Sequence, residues 1–366
     1  MLARNISKRA ARIADRICCR RLVLLAGLTL WLMGCAGEQT HDGSPPSASG
    51  QSASVPPADS PSSPASGSNS NAGLEVFNSY RTMAKLSPIK EDATLSDGDR
   101  DHARYLVKNY GQQIKHNENL GVNFHLEDTN RPAYTYAGFI AGRASDVVIW
   151  RGEETPQAAE RSIDGWFVAP FHRFPLLSTH LDEAGYGEYC EAGACAAALN
   201  ITSGGVSPSL AYHRRVVASG SFTGQEYGST VLDTAIQFPP DGSTVRSGQF
   251  DGHEWPDPLT SCAGYSPPTG LPITVQLGSW VKATVSAFSV TANGAPIPTC
   301  GIDGSNYTNP EARTQEIARN GLLEFGAVIL IPRTPLPIGS TCKVSATING
   351  RQYNWSFKVA GDAALR

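Results

Sequence analysis

Hydrophobic and polar positions divide the chain into stretches of different character. An unbroken apolar run occupies residues 22–33, too short to cross a bilayer, which takes about 20 residues. Residues 36–73 are nearly all Ser, Pro, Gly, Ala, Asn and Asp; such a segment cannot bury enough apolar area to offset its ordering entropy and predicts a disordered tether. Helical periodicity begins at Leu74, with Val76, Phe77, Tyr80, Met83 and Ala84 on one stripe. A second helix is expected over 97–110, capped by Ser96, with Ala103, Leu106, Val107 and Tyr110 on its apolar face. A third is expected to start at Thr155 with Pro156 in its first turn and to bury Ala159, Ile163, Trp166 and Phe167. Strands are expected at 184–190 and 195–202, joined by a four-residue loop over residues 191–194. Helices first and a closing hairpin imply an α/β/α sandwich or an α+β fold.

From Pro208 onward the pattern changes to short strand-like runs, clearest at 273–277, 280–292, 323–331, 341–348 and 352–359. Asn349-Gly350 is a strong hairpin signal, and Asn293-Gly294 predicts another. Cys342, Val344, Ala346 and Ile348 alternate inward, as do Tyr353, Trp355, Phe357 and Val359 across the turn. These features predict a β-sandwich over 266–361. Residues 206–265, rich in Pro and Gly turns, read as a connector packed on both domains, with Trp255 buried at the junction or displayed for recognition.

Charge sharpens the reading of the N-terminus. The formal net charge is −3, yet residues 1–34 contain seven Lys/Arg and only Asp15 as an acid; without that +6 the rest carries −9. So acidic a protein has no electrostatic footprint for nucleic acid. A basic region, a short apolar run and Leu32-Met33-Gly34-Cys35 describe a secretory signal over 1–34. The Gly-Cys step resembles the bacterial lipoprotein box, which implies acylation of Cys35, a tether over 35–73 and a membrane partner; Ala36 then favours the outer membrane. The alternative is an uncleaved signal anchor with Cys35 as a bystander.

The order Asn78…Arg81, His102-Ala-Arg-Tyr-Leu, His116-Asn-Glu118, Tyr134-Thr-Tyr-Ala-Gly138, Ile163-Asp-Gly-Trp166-Phe-Val-Ala-Pro-Phe-His172-Arg-Phe-Pro-Leu-Leu177 and Gly185-Tyr-Gly187 resembles a bacterial CAP domain (cysteine-rich secretory, antigen 5, pathogenesis-related 1), covering 74–205. The resemblance implies a three-layer α-β-α sandwich with a cleft lined by two His and two acidic residues that can hold a divalent metal. It matches His116 and His172 to the cleft imidazoles, with Glu118 as the nearest carboxylate. It also marks departures: Gly138-Phe139-Ile140 stands where many members carry Gly-Glu-Asn, and the closing hairpin lacks the family's last His. Zinc bound weakly by His116 and His172 is therefore the expected metal chemistry. The bland alternatives are a His172 that bonds backbone in the turn after its helix, with Arg173 facing solvent, and a solvated Glu118. His125-Leu-Glu127-Asp128 reads as a chance polar cluster in a loop. Asp146 could replace the absent Glu or cap an element.

Nucleophilic catalysis gains no support: neither Gly-x-Ser-x-Gly nor His-Glu-x-x-His occurs. Cys190 and Cys195 flank a hairpin and predict a disulfide across it. The run Pro335-Leu-Pro-Ile-Gly-Ser-Thr-Cys342 with Trp355-Ser-Phe357 resembles the last strands of bacterial immunoglobulin-like envelope modules, with Cys342 at a position usually held by Tyr. That exchange suggests a Cys342–Cys300 bond; the alternative is Cys262–Cys300. The functional expectation is a lipid-anchored envelope protein whose CAP-like head binds an apolar ligand, an envelope component or a partner protein. The rival is a metal-dependent hydrolase built on His116, Glu118 and His172.

Overall fold

Residues 194–200 are small and apolar without alternation, the composition of a strand covered on both faces, and all seven are buried. The computed structural model describes residues 69–155, 157–201 and 230–360. Its first part runs α1 (Asn69–Met83), β1 (Lys90–Glu91), α2 (Ala93–His116), α3 (Tyr136–Gly142), β2 (Ser145–Arg151), α4 (Ala158–Val168), α5 (Pro170–Leu176), β3 (Glu183–Glu191) and β4 (Ala194–Asn200). The sheet order is β1-β3-β4-β2, antiparallel except for the β1–β3 pair. Along β4, Ala194, Ala196 and Ala198 join the core under α2, while Cys195, Ala197 and Leu199 join the core under α1 and α4. Period-two alternation thus serves two helical faces from one strand. The alanines leave room for α2, whose Ala103, Leu106, Val107 and Tyr110 pack there.

The second part contains β5 (Thr230–Phe238), β6 (Thr244–Val245), β7 (Gln249–Phe250), β8 (Thr269–Gly270), β9 (Ile273–Ser279), β10 (Val285–Ala292), β11 (Ala295–Ile297), β12 (Thr299–Ile302), α6 (Ala312–Glu324), β13 (Ala327–Pro332), β14 (Thr341–Ile348) and β15 (Arg351–Val359). Two sheets, β11-β10-β14-β15-β6 and β12-β13-β9-β5, face a common core of Ile273, Val275, Val328, Leu330, Val344, Ala346 and Phe357. Both Asn-Gly hairpins form: Asn293 and Gly294 have φ of 48° and 85°, Asn349 and Gly350 of 50° and 79°, the paired left-handed geometry of a two-residue type I′ turn. The same core cluster continues into Leu74, Phe77, Ile163, Trp166 and Phe167 of the first part, so the two parts share apolar interior.

Several sequence expectations change. Asp92, not Ser96, caps α2, its carboxylate accepting from the Thr94 and Leu95 amides; Ser96 is spent instead on Glu91 and on the Tyr186 amide. Asn69–Gly73 belong to α1 rather than to a tether, and the missing Cβ of Gly73 makes room for the Tyr186 ring. Helix α4 starts at Ala158 behind Gln157, two residues later than Thr155 as cap implies; Pro156 lies outside the described residues. The loop between β3 and β4 is a two-residue turn with positive φ at Ala192 and Gly193. Residues 230–238 form a strand on β9 instead of a connector, and the run 323–331 divides into the end of α6, a turn at Gly326 and β13. The disulfides are Cys190–Cys195 and Cys262–Cys300. Cys342 is a free, fully buried thiol beside the Ser340 hydroxyl, in a different core cluster from Cys262 and Cys300. Cys35 and residues 1–34 lie outside the described residues.

Candidate functional site

Most of the motif residues are structural. Asn78 brackets Ile89, donating to its carbonyl and accepting from its amide. Buried Arg81 donates to the carbonyls of Ser87, Leu176, Ser178 and Leu181, tying the segment after α5 to α1. Thr135 caps α3 by accepting from the Gly138 amide and donates its own hydroxyl to Asp101. His102 is wholly buried on α2: Nε2 donates to the Phe124 carbonyl at 2.9 Å, and Nδ1 meets Glu127 Oε1 at 2.9 Å. A Cβ on Gly142 would come within 2.3 Å of this ring, and one on Gly138 within 2.6 Å of Glu127 Oε1. Both glycines are therefore required where α3 meets the His102–Glu127 pair. One half of the loop cluster read as a chance grouping is fixed in place, since Glu127 faces inward to His102.

The other half is His125. Its Nδ1 lies 2.9 Å from the Gly142 carbonyl; a carbonyl only accepts, so Nδ1 carries the proton and Nε2 keeps its lone pair in the neutral ring. Burial pushes the His125 imidazole below its ordinary value, the Gly142 bond and Asp146 pull it back, and His102 and His172 oppose a further positive charge. His172, in the first turn of α5, sits 3.1 Å through Nδ1 from Glu254 Oε1. Burial disfavours its charge, but the bond to Glu254 and the charges of Asp146 and Glu254 prevail and raise it to about 9. Burial raises the Glu254 carboxyl, and His172 with two backbone amides pulls it back. His125, Asp146, His172 and Glu254 thus form one electrostatic neighbourhood assembled from the loop before α3, the start of β2, α5 and the loop after β7.

Residues 74–197 match the CAP family, described as the cysteine-rich secretory protein family. No curated protein matches the chain. Of the cleft residues expected from the sequence, His172 belongs to this neighbourhood. His116 is the exposed last residue of α2, followed by Asn117 as a left-handed cap, and Glu118 is exposed beyond it. Among the described residues neither makes a hydrogen bond or ion pair with His172, whose ring is taken by Glu254. The imidazole that shares an electrostatic neighbourhood with His172 is His125. Among the described residues no group of three or more His, Cys, Asp or Glu is placed to hold a metal ion. Arg173, which faces solvent in the bland alternative for His172, is fully buried: its guanidinium donates to the carbonyls of Phe167, Val168 and Pro272 and to Thr274 Oγ1.

The sequence offered a signal for His125, since a His and an acid two positions apart flank an apolar residue. It offered none for Glu254, which lies 82 positions from His172 in a Pro-rich loop. Trp255, next to it, is 59% exposed rather than buried at the junction. Leu126, Tyr136 and Ile140 are also exposed. Leu126 follows His125 directly, and Ile140 precedes by two residues the glycine whose carbonyl holds that ring.

Proposed function

We propose that this protein is an exported, lipid-anchored envelope protein whose CAP region, read as a three-layer α-β-α head, serves binding rather than hydrolysis. In this reading the β module, taken as immunoglobulin-like, is the stalk. The observation that carries the reading is the exposure of Leu126 and Trp255, each next in the chain to His125 or Glu254, together with that of Tyr136 and Ile140 on α3, whose last residue, Gly142, holds the His125 ring. Scattered exposed apolar residues are ordinary, but aromatic ones on the elements that assemble a part-buried polar cluster suit an apolar ligand or an apolar surface of a partner. The hydrolase alternative is the weaker reading, because His116 and Glu118 are exposed and the ring of His172 bonds Glu254. Zinc affinity would be weak: His125 offers one unprotonated nitrogen, and His172 would first have to surrender a proton that Glu254 and Asp146 hold in place.

The test is a titration of the mature chain with a dansyl-labelled long-chain acid. Saturable binding is expected, weakened roughly tenfold when Tyr136→Ser and Trp255→Ser are combined and unchanged by His116→Ala. Binding that ignores the apolar substitutions would defeat this placement of the site.

A further inference from the structure

Helix α5 has no side-chain cap of its own: Ala169 precedes it, and Pro170 opens it. The amides of Phe171 and His172 would be left without acceptors in a part-buried turn, which is costly. Both are satisfied from outside the CAP region. Glu254 Oε1 accepts from the Phe171 amide at 2.7 Å, from the His172 amide at 3.0 Å and from His172 Nδ1 at 3.1 Å. One oxygen atom therefore fixes the first turn of α5 and the orientation of the cleft ring together. The Glu254 side chain has no exposed surface, and its other oxygen, Oε2, is buried without a hydrogen-bond partner. A wholly buried carboxylate that concentrates its bonds on one oxygen is expensive to place, and its surroundings are built to keep it there. The loop carrying it is held by the Asp257 carbonyl, which accepts from Tyr307 Oη, and by the Cys262–Cys300 disulfide.

We propose that Glu254, contributed by the β module, is a positioning residue of the CAP cleft. It sets the ring of His172 by accepting from Nδ1, so the cleft is complete only while the β module is docked. The proposal rests on the reading of His125 and His172 as the cleft, but it needs no ligand to be tested. An ion pair confined to the module joint would involve the ring alone, and a mere helix cap would involve the amides alone. Glu254 engages both.

The experiment is nitrogen-15 NMR of the mature chain at one fixed pH, with amide hydrogen exchange measured on the same samples. In Glu254→Ala, the Phe171 and His172 amides should exchange faster by roughly fivefold, the factor expected for a lost cap. The His172 Nδ1 resonance should leave the position of a hydrogen-bonded donor. Glu254→Gln, whose amide oxygen can accept from the same three N–H groups, should restore both signals. Faster amide exchange with an unmoved ring resonance would show a cap only and overturn the proposal. Should Glu254→Ala fail to fold, the wild-type chain still decides: the His172 Nδ1 proton must show a through-hydrogen-bond coupling to the Glu254 carboxyl carbon, and its absence overturns the proposal equally. Loss of long-chain acid binding elsewhere would leave these signals untouched, so the two readings fail separately.

Discussion

Glycine-to-alanine exchange at two helical positions should move stability in opposite directions, and the structure gives the size of each effect. At Gly165, in the exposed middle of α4, a Cβ would meet nothing within 4 Å. Alanine there should stabilise by about 0.5–1 kcal/mol, the helix-propensity difference. At Gly142, the last residue of α3, the Cβ would lie 2.3 Å from His102 Cε1 and 2.5 Å from Nδ1. That ring cannot swing away, because Phe124 holds one nitrogen and Glu127 the other. Overpacking of about 1–3 kcal/mol then adds to the strain on a buried hydrogen-bond pair worth about 1–3 kcal/mol when broken. Against this, propensity returns at most about 1 kcal/mol at a helix end. The net expectation is a loss of about 2–3 kcal/mol for Gly142→Ala and a small gain for Gly165→Ala. Urea unfolding of the mature chain measures both, through the midpoint shift at constant slope. Gly142→Ala within about 0.5 kcal/mol of wild type would refute the claim that α3 is seated on a fixed His102–Glu127 pair.

Three further outcomes follow from buried groups of the β module. Glu324, at the end of α6, is 2% exposed with neither carboxyl oxygen hydrogen-bonded, and burial raises its pKa to about 8. The unfolded carboxyl ionises near 4.5 while the folded one stays neutral, so this group costs nothing at low pH and opposes folding increasingly as pH rises from about 4.5 to 8. At 1.36 kcal/mol per unit the full penalty is on the order of 5 kcal/mol. The stability advantage of Glu324→Gln should therefore grow across that range, and an advantage independent of pH would contradict it. Removing the Cys262–Cys300 bond by a double Cys→Ala exchange opens a loop with sequence separation 38 and should cost about 4 kcal/mol in the chain-entropy account. Peptide mapping after unfolding without reductant should find Cys342 as the alkylated thiol among the described cysteines, and a blocked Cys342 would contradict the pairing.

What the sequence made legible was what local pattern encodes. Both Asn-Gly hairpins, the inward alternation of β14 and β15 and the Cys190–Cys195 pair could be read directly, because each depends on neighbours within a few residues. The helical stripes of α2 and α4 were visible, but their starts were not: Ser96 has the chemistry of a cap, and only the fold shows that its hydroxyl is spent on Glu91 and the Tyr186 amide while Asp92 does the capping. The pairing of His125 with His172 was not legible for the same reason. His116 and His125 are both polar loop-edge histidines in the sequence, and what separates them is the Gly142 carbonyl, supplied by a helix that arrives from elsewhere. Helix α6 escaped notice because its buried positions, Thr314, Ala318 and Leu322, make a weak apolar stripe within a polar run.

The segment that most resembled a family signature also does a second job. Successive side chains of α5 all meet the β module. His172 bonds Glu254, while Phe171 packs edge-on against Tyr307, Phe174 stacks on Phe325, and Arg173 reaches the Pro272 carbonyl and the Thr274 hydroxyl of β9. Gln276 of β9 donates in turn to the Phe174 carbonyl. These four residues are hard to shift at one contact without shifting at the others, because they lie within about one helical turn. The β module is therefore not a passive spacer hung from a self-sufficient head. The loop bearing Glu254 bonds the His172 ring directly, and β9 with the residue before it bonds the two residues that follow.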